Sequence, residues 1–182
     1  MELFSDQYFH IYNRSNNNEI VFKSNDNYLY FLQKYQSYFE VDFHTLAYCL
    51  MPTHFHFLVM VKAVDTERLK NTFGMFLSSY TKAINKQLGR HGSLFQQHTK
   101  SRCIDDERYL ITLVAYIHQN PIRAGLVDLL EDWEFSSYCD YSGKRDGISL
   151  SKEYVMRYFG SIEEFKRFSG TMLQTINKKY WI

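Results

Sequence analysis

Two apolar runs separated by two residues are the strongest constraint on how this chain can fold. Residues 43–51 and residues 54–61 are rich in aromatic and aliphatic side chains, and only Pro52-Thr53 lies between them. Runs of this length joined by so short a break predict two antiparallel strands in a hairpin. We therefore expect the chain to be built around a mainly antiparallel sheet.

The segments on either side of this hairpin show both helix and strand patterns. Apolar residues recur at three- and four-residue spacing at 25–39 and at 66–88, which predicts two amphipathic helices. A β-prone run at 8–12 and a short one at 99–104 predict two further strands.

A third helix is expected after the last of these strands. Asp105-Asp106 would open it, since acidic side chains are favourable at a helix N-terminus. It should end near Asn120, because Pro121 disfavours helix at the residue before it. Looser patterns predict helices near 152–158 and 162–168.

The predicted order of elements, β-α-β-β-α-β-α, is typical of an α+β sandwich. We expect an antiparallel sheet with helices packed on it, of the ferredoxin-like or split βαβ kind. Glycine and proline are scarce, with 8 and 2 residues in 182, so the chain should form one compact unit. The fold would occupy residues 1–141, and residues 142–182 would form a helical extension packed on the same domain.

Composition excludes several classes of protein. Three cysteines without a C-x-x-C spacing argue against a disulfide framework or a thiolate zinc site. No stretch approaches the ~18 apolar residues of a membrane span, and the first residues lack the basic and apolar regions of a signal peptide. We therefore expect a cytoplasmic protein with no membrane partner.

Positive charge is concentrated in the middle of the chain. The net charge is only +1, but residues 62–102 carry eight basic and two acidic side chains, a net charge of +6. Phosphate binding requires local positive charge rather than a basic whole. Such a run is more often a solvated helix face.

Two histidines stand two positions apart in the second strand of the hairpin. Side chains alternate along a strand, so His54 and His56 should share one face, about 7 Å apart. Two imidazoles on one face can bind one divalent ion. Alternatively, they are two unrelated histidines of the core or surface.

The third helix presents Tyr116 and Asn120 on one face, since they are four residues apart. A tyrosine hydroxyl can act as a covalent nucleophile, and an amide oxygen is a suitable ligand for Mg²⁺ or Mn²⁺. Tyr116 could equally be a packed aromatic in a chain with 15 tyrosines. Asn120 could be an ordinary residue at a helix C-terminus.

Several ordered motifs give the chain a resemblance to a known family. They are Tyr12-Asn13-Arg14, Leu50-Met51-Pro52-Thr53-His54-Phe55-His56, Gly92-Ser93-Leu94-Phe95-Gln96, Tyr116-Ile117-His118-Gln119-Asn120-Pro121-Ile122-Arg123-Ala124-Gly125-Leu126-Val127 and Trp133-Glu134-Phe135-Ser136-Ser137-Tyr138. Over residues 8–141 the chain resembles the HUH single-tyrosine transposases, and within them the REP-associated tyrosine transposases of bacteria. It departs from them at Thr53, where the family usually has Asn, and at Arg14-Ser15-Asn16, where Arg-Gly-Asn is common.

This resemblance implies an HUH endonuclease fold and a metal-dependent transposase. It implies that His54, His56 and Asn120 bind Mg²⁺ or Mn²⁺ and that Tyr116 is the nucleophile. The expected activity is nicking and strand transfer on single-stranded or hairpin DNA through a 5′-phosphotyrosine intermediate. Related enzymes include dimers, so a homodimer is among the expectations. The protein would be bacterial and nucleoid-associated when bound to DNA.

Basic residues near these motifs are candidates for binding DNA phosphates, which the arginine fork matches well. They are Arg14, Lys82, Lys86, Arg90, Lys100, Arg102 and Arg123. The other five histidines are interpreted as structural or surface groups: His10, His44, His91, His98 and His118.

Two other functions fit the sequence. The chain could be a domesticated protein that binds hairpin nucleic acid without cutting it. It could also be a metal-dependent hydrolase of another substrate, which would use His54 and His56, need a water-activating base and not require Tyr116.

Overall fold

The computed structural model describes residues 2–62 and 65–172. Its four strands are β1 (Tyr8–Arg14), β2 (Phe43–Met51), β3 (His54–Val61) and β4 (Lys100–Ile104). Its helices are α1 (Asn25–Phe39), α2 (Thr66–Leu88), α3 (Glu107–Arg123), α4 (Tyr138–Tyr141), α5 (Glu153–Met156) and α6 (Ile162–Gly170). Short 3-10 turns lie at Asn16–Asn18 and Leu130–Asp132.

The strands form one antiparallel sheet in the order β2-β3-β1-β4. The predicted hairpin is β2 and β3, in which Met51 pairs with His54 across Pro52-Thr53. Strands β1 and β2 are separated by β3, so the first β-α-β unit is split as expected. The predicted α+β fold with an antiparallel sheet is confirmed.

Helices α1 and α2 cover one face of the sheet. The side chains of Phe55, Phe57 and Val59 point to this face and are fully buried. Tyr35 of α1 stacks on Phe57 with 3.8 Å between ring centres. Many of the aromatic residues therefore fill a core on the side of the sheet away from His54 and His56.

Helix α3 covers the opposite face, mainly over β2. Leu113 and Ile117 of α3 are buried in the same cluster as Cys49 and Leu58 of the sheet. Helix α6 in turn packs against α3. The part of this sheet face that belongs to β3 and β1, beside α3, therefore carries polar side chains.

The segment after residue 141 is attached to the sheet and to α3 by hydrogen bonds. The Ser151 amide donates to the Thr45 carbonyl at 2.9 Å, and Gln119 of α3 donates to the Ser169 carbonyl at 2.7 Å. The proposed extension reaches to 182, and its last ten residues lie outside the described residues.

Helix α3 does not end near Asn120, and this prediction is wrong. It continues through Pro121 to Arg123. Proline lacks the N–H that would bond to the carbonyl of Ile117. The Asn120 side chain donates to that carbonyl at 3.4 Å and to the Tyr116 carbonyl at 2.9 Å. An amide donor beside the proline therefore compensates for the missing main-chain donor.

Among the helices of the described residues, none is both long and apolar enough to cross a membrane.

Candidate active site

The register of the sheet gathers the candidate residues on the α3 face. His56 lies opposite Tyr12 of β1, and His54 lies opposite Arg14. Lys100 of β4 lies opposite Tyr12 from the other side. Directly paired residues of an antiparallel sheet share a face, so β1, β3 and β4 present one continuous polar surface.

The two histidines of β3 converge as their spacing predicts. Their rings lie edge to face, with 5.1 Å between ring centres. Nδ1 of His54 is 3.1 Å from the Thr53 hydroxyl. His56 is fully buried, and its Nε2 has no hydrogen-bond partner among the described residues. A buried nitrogen without a partner fits a metal ligand, because an unsatisfied buried polar atom is otherwise costly.

Both imidazoles are neutral at physiological pH. Burial, with a smaller contribution from Arg14, lowers the pKa of His54 to about 4. Burial and then the neighbouring His10 and His54 hold the pKa of His56 well below its ordinary value. A neutral imidazole carries the lone pair that binds a metal.

His10 of β1 adjoins the candidate site, although the sequence interpretation placed it among structural or surface groups. It is fully buried, and its Nε2 is 2.9 Å from Nδ1 of His56. The alternation of His10, Tyr12 and Arg14 along β1 was visible in the sequence. Only the pairing of β1 with β3 brings that face against His56.

Tyr116 approaches His56 from α3. Its ring is half-buried and lies 6.1 Å from the ring of His56, measured between ring centres. Burial raises the pKa of the Tyr116 hydroxyl, and Arg123 partly opposes this shift. The Arg123 guanidinium carbon is 5.7 Å from the centre of the Tyr116 ring.

Tyr12 also lies near His56, at 6.3 Å between ring centres. It is 2% exposed, and its hydroxyl accepts a hydrogen bond from Nε of Arg102 at 3.2 Å. Tyr116 is the more accessible of these two tyrosines and is therefore the better candidate for reaction with an external substrate.

Asn120 stands one turn after Tyr116 and is the candidate third ligand. Its amide nitrogen donates to helix carbonyls, which fixes the side chain by its nitrogen rather than its oxygen. Within 2–62 and 65–172, no three His, Cys, Asp or Glu side chains are grouped so as to hold a metal ion. A third protein ligand to the histidine pair would therefore have to be of another type, such as an amide.

The candidate phosphate-binding residues fall into two sets. The first set adjoins the histidines and Tyr116 on the sheet face and on α3: Arg14, Lys100, Arg102 and Arg123. The second lies on or just after α2, which covers the other face of the sheet: Lys82, Lys86 and Arg90. Arg90 forms an ion pair with Glu19 at 2.8 Å.

Two adjoining grooves contain members of both sets. One, of about 640 Å³, lies between α2 and residues 92–99 and includes Lys82. The other, of about 600 Å³, follows β4 and is lined by Tyr12, Lys100 and Arg102. His98 and Thr99 line both grooves, so Lys82 of the second set lies along the same depression as Lys100 and Arg102 of the first. The other four residues line neither groove: Arg14, Lys86, Arg90 and Arg123.

This geometry defines an α+β sandwich with a histidine pair facing a helix-borne tyrosine. The chain is 30% identical over 104 residues to a curated protein of Haemophilus influenzae named as a REP-associated tyrosine transposase. The alignment covers 53% of this chain and 59% of that protein, so the match spans about three fifths of the relative's length. No family model matches the chain.

A solved structure of a REP-associated tyrosine transposase bound to a REP hairpin is similar to this chain. The TM-score is 0.64 at 17% sequence identity, over 84% of this chain and 93% of that one. The structural match shows that this chain has the fold of that protein. Together the two similarities support the resemblance to the REP-associated tyrosine transposases that the sequence motifs carry.

Proposed function

We propose that the chain nicks and rejoins single-stranded or hairpin DNA through a covalent bond to Tyr116. The observation that carries this proposal is the approach of Tyr116 to His56, whose buried Nε2 has no hydrogen-bond partner among the described residues. The solved hairpin complex supports a hairpin as the partner. A bacterial protein of this activity would act at the nucleoid.

His54, His56 and Asn120 would hold a divalent metal, Mg²⁺ or Mn²⁺. Such an ion would stabilise the negative charge that develops on the scissile phosphate. The neutral imidazoles and the amide add no charge of their own, so the site would keep the full positive charge of the ion for the substrate.

The reaction proposed for Tyr116 conserves the phosphodiester energy. The Tyr116 oxygen bonds to phosphorus, the bond from phosphorus to the 3′ oxygen breaks, and the 3′ hydroxyl leaves with a proton. The 5′ phosphate then remains on the tyrosine. A 3′ hydroxyl can attack this phosphotyrosine in the reverse sense and release Tyr116, so strands can be joined without ATP.

The surrounding cations would bind and orient the strand. Arg123 lies beside the Tyr116 ring, and the groove along β4 presents Lys100 and Arg102. Guanidinium groups match phosphate oxygens in pairs. We propose that this groove binds the DNA flank nearest to the scissile phosphate.

The test is the formation of a covalent protein–DNA complex. Full-length protein is incubated with Mn²⁺ and hairpin DNA carrying labelled single-stranded flanks, and a denaturing gel is read for a labelled protein band. Tyr116→Phe should abolish the band, whereas Tyr109→Phe, on the same helix two turns earlier, should keep it. A band that persists in Tyr116→Phe would show that the nucleophile is another residue.

One observation favours a second function, hairpin binding without cleavage. Burial raises the pKa of Tyr116, so the hydroxyl keeps its proton at neutral pH and is a weak nucleophile until the site is complete. Wild-type protein that binds the hairpin with Mn²⁺ but never forms the covalent band would establish this alternative.

A further inference from the structure

Two buried histidines from different strands form one hydrogen-bonded pair. His10 of β1 and His56 of β3 are both fully buried, and Nε2 of His10 lies 2.9 Å from Nδ1 of His56. Their ring planes differ by 12° and their ring centres are 5.1 Å apart, so the contact joins the ring edges nearly in plane. This is the favourable geometry for an N–H donor and a nitrogen lone pair.

The hydrogen bond of this pair can run in either direction, and the direction decides which ring nitrogens carry protons. Nδ1 of His10 and Nε2 of His56 are buried and have no hydrogen-bond partner among the described residues. Each neutral imidazole carries one proton and one bare nitrogen. If His10 donates, Nε2 of His56 must carry a proton and cannot bind a metal. If His56 donates, its Nε2 is bare.

We infer that His10 is a positioning residue that accepts the hydrogen bond from Nδ1–H of His56 and so presents a bare Nε2 of His56 to the metal. This inference rests on the metal ligands of the proposed function but not on the role of Tyr116. It assigns a function to a buried histidine that would otherwise be a costly core residue.

The neighbouring histidine is held in a matching way. Nδ1 of His54 is 3.1 Å from the Thr53 hydroxyl, so Nδ1 is the anchored nitrogen in both His54 and His56. Metal-binding histidines commonly donate their second ring N–H to a fixed acceptor, which sets both the tautomer and the ring orientation. Here the two anchors are an imidazole and a hydroxyl, and neither carries a charge.

The packing around His10 holds its ring in place. Its ring lies 4.8 Å from the ring of Tyr12, and Tyr12 is held by the Arg102 guanidinium. On β1, His10 lies opposite Arg102 in the sheet.

The first test reads the tautomer in the full chain without metal. Long-range ¹H–¹⁵N spectra distinguish a protonated ring nitrogen from a bare one, and the His56 signals are assigned by their loss in His56→Asn. We expect a proton on Nδ1 of His56 and a bare Nε2. A proton on Nε2 would overturn the inference, because His10 would then be the donor.

The second test measures Mn²⁺ affinity by calorimetry without DNA. His10→Phe keeps a ring but removes the acceptor, and we expect a 10- to 100-fold weaker affinity, the range typical of losing such a partner. His10→Gln places an amide oxygen near the position of Nε2, and it should stay within about threefold of wild type on the same basis.

A matched control separates this role from general loss of packing. His118 is also fully buried, and its Nε2 is 2.8 Å from the Ser137 hydroxyl. His118→Phe should lower the unfolding temperature but leave Mn²⁺ affinity unchanged. Wild-type affinity in His10→Phe, or equal losses in His10→Phe and His118→Phe, would refute the inference.

The outcomes also separate this inference from the proposed function. A wild-type chain that binds no Mn²⁺ would remove the ligand set of the proposed function. If the wild-type chain binds Mn²⁺ but His56 is protonated on Nε2, only the role inferred for His10 is refuted. If His10→Phe does not fold, His10→Gln and the wild-type spectra still decide the question.

Discussion

The ring of Tyr116 stands edge-on to the ring of His56, with 6.1 Å between ring centres and 81° between their planes. This contact joins α3 to β3 at the point where the sheet face is polar rather than apolar. It places the half-buried Tyr116 beside a neutral imidazole, and a guanidinium two helical turns further on lies over the same tyrosine ring.

Replacing Arg123 should slow attack by Tyr116. Arg123 lowers the pKa of the Tyr116 hydroxyl, which burial raises. In Arg123→Met the pKa should rise further, and the rate of covalent complex formation at pH 7.5 should fall by about tenfold, as for the loss of one nearby opposite charge. The rate is measured on a gel under single-turnover conditions at several pH values.

Two variants control this prediction. Arg123→Lys keeps the charge and should recover part of the rate. Arg108→Met removes an exposed cation from the first turn of the same helix and should leave the rate unchanged. Equal rates in Arg123→Met and wild type would contradict the electrostatic role.

Asn120 should contribute to helix stability separately from any metal. Its amide donates to the Ile117 carbonyl, which Pro121 leaves without a main-chain donor. Asn120→Ala should therefore lower the free energy of unfolding by about 1 kcal/mol. Chemical denaturation of the metal-free protein measures this value.

A double-mutant cycle with Pro121 tests the cause. Pro121→Ala restores the main-chain N–H, so Asn120→Ala should cost less in that background, with a coupling of about 0.5 to 1 kcal/mol. Additive effects would mean that the amide does not compensate for the proline.

The bounds of most elements could be predicted because their periodicity is strong. Those of α1, α2, β2 and β3 agree with the prediction residue for residue. The end of α3 could not be predicted in this way. Local propensity predicts that a helix ends before Pro121, and it takes no account of a side chain such as Asn120 that replaces the missing main-chain donor.

The candidate site was only partly accessible from the sequence. Alternation along one strand brings His54 and His56 together, and their convergence follows from two-residue spacing alone. Placing His10 beside His56 requires the register between β1 and β3, because the two histidines are 46 residues apart in the chain. The basic stretch 62–102 likewise runs through α2 and β4, so its charges divide between two sides of the sheet.

Acid should destabilise the protein through its buried histidines. Burial lowers the pKa of His118 to about 3 in the folded chain, from an ordinary 6.5. Above pH 6.5 neither state binds this proton. Between pH 6.5 and 3 only the unfolded state binds it, so the free energy of unfolding should fall by about 1.4 kcal/mol per pH unit for this residue.

Urea denaturation between pH 7.5 and 4.5 measures this dependence. His118→Gln keeps a polar group near the Ser137 hydroxyl but cannot take up the proton. Its slope against pH should be smaller than that of wild type by about one proton. Identical slopes in the two proteins would show that His118 is not the group responsible.

The groove along β4 should contribute more to binding of a single-stranded flank than α2 does. Lys100 and Arg102 line this groove together with Tyr12, next to the histidine pair, whereas Lys82 and Lys86 are carried by the helix on the other face. If Lys100 and Arg102 each contact one phosphate, the double variant Lys100→Gln/Arg102→Gln should reduce the slope of log affinity against log salt by about 1.4, at roughly 0.7 per contact.

Fluorescence anisotropy of a labelled hairpin with a single-stranded flank, measured without divalent metal so that no cleavage occurs, gives this slope. Lys82→Gln/Lys86→Gln removes the same charge, so it separates local contact from net charge. Equal slopes in the two double variants would mean that the flank does not follow the β4 groove.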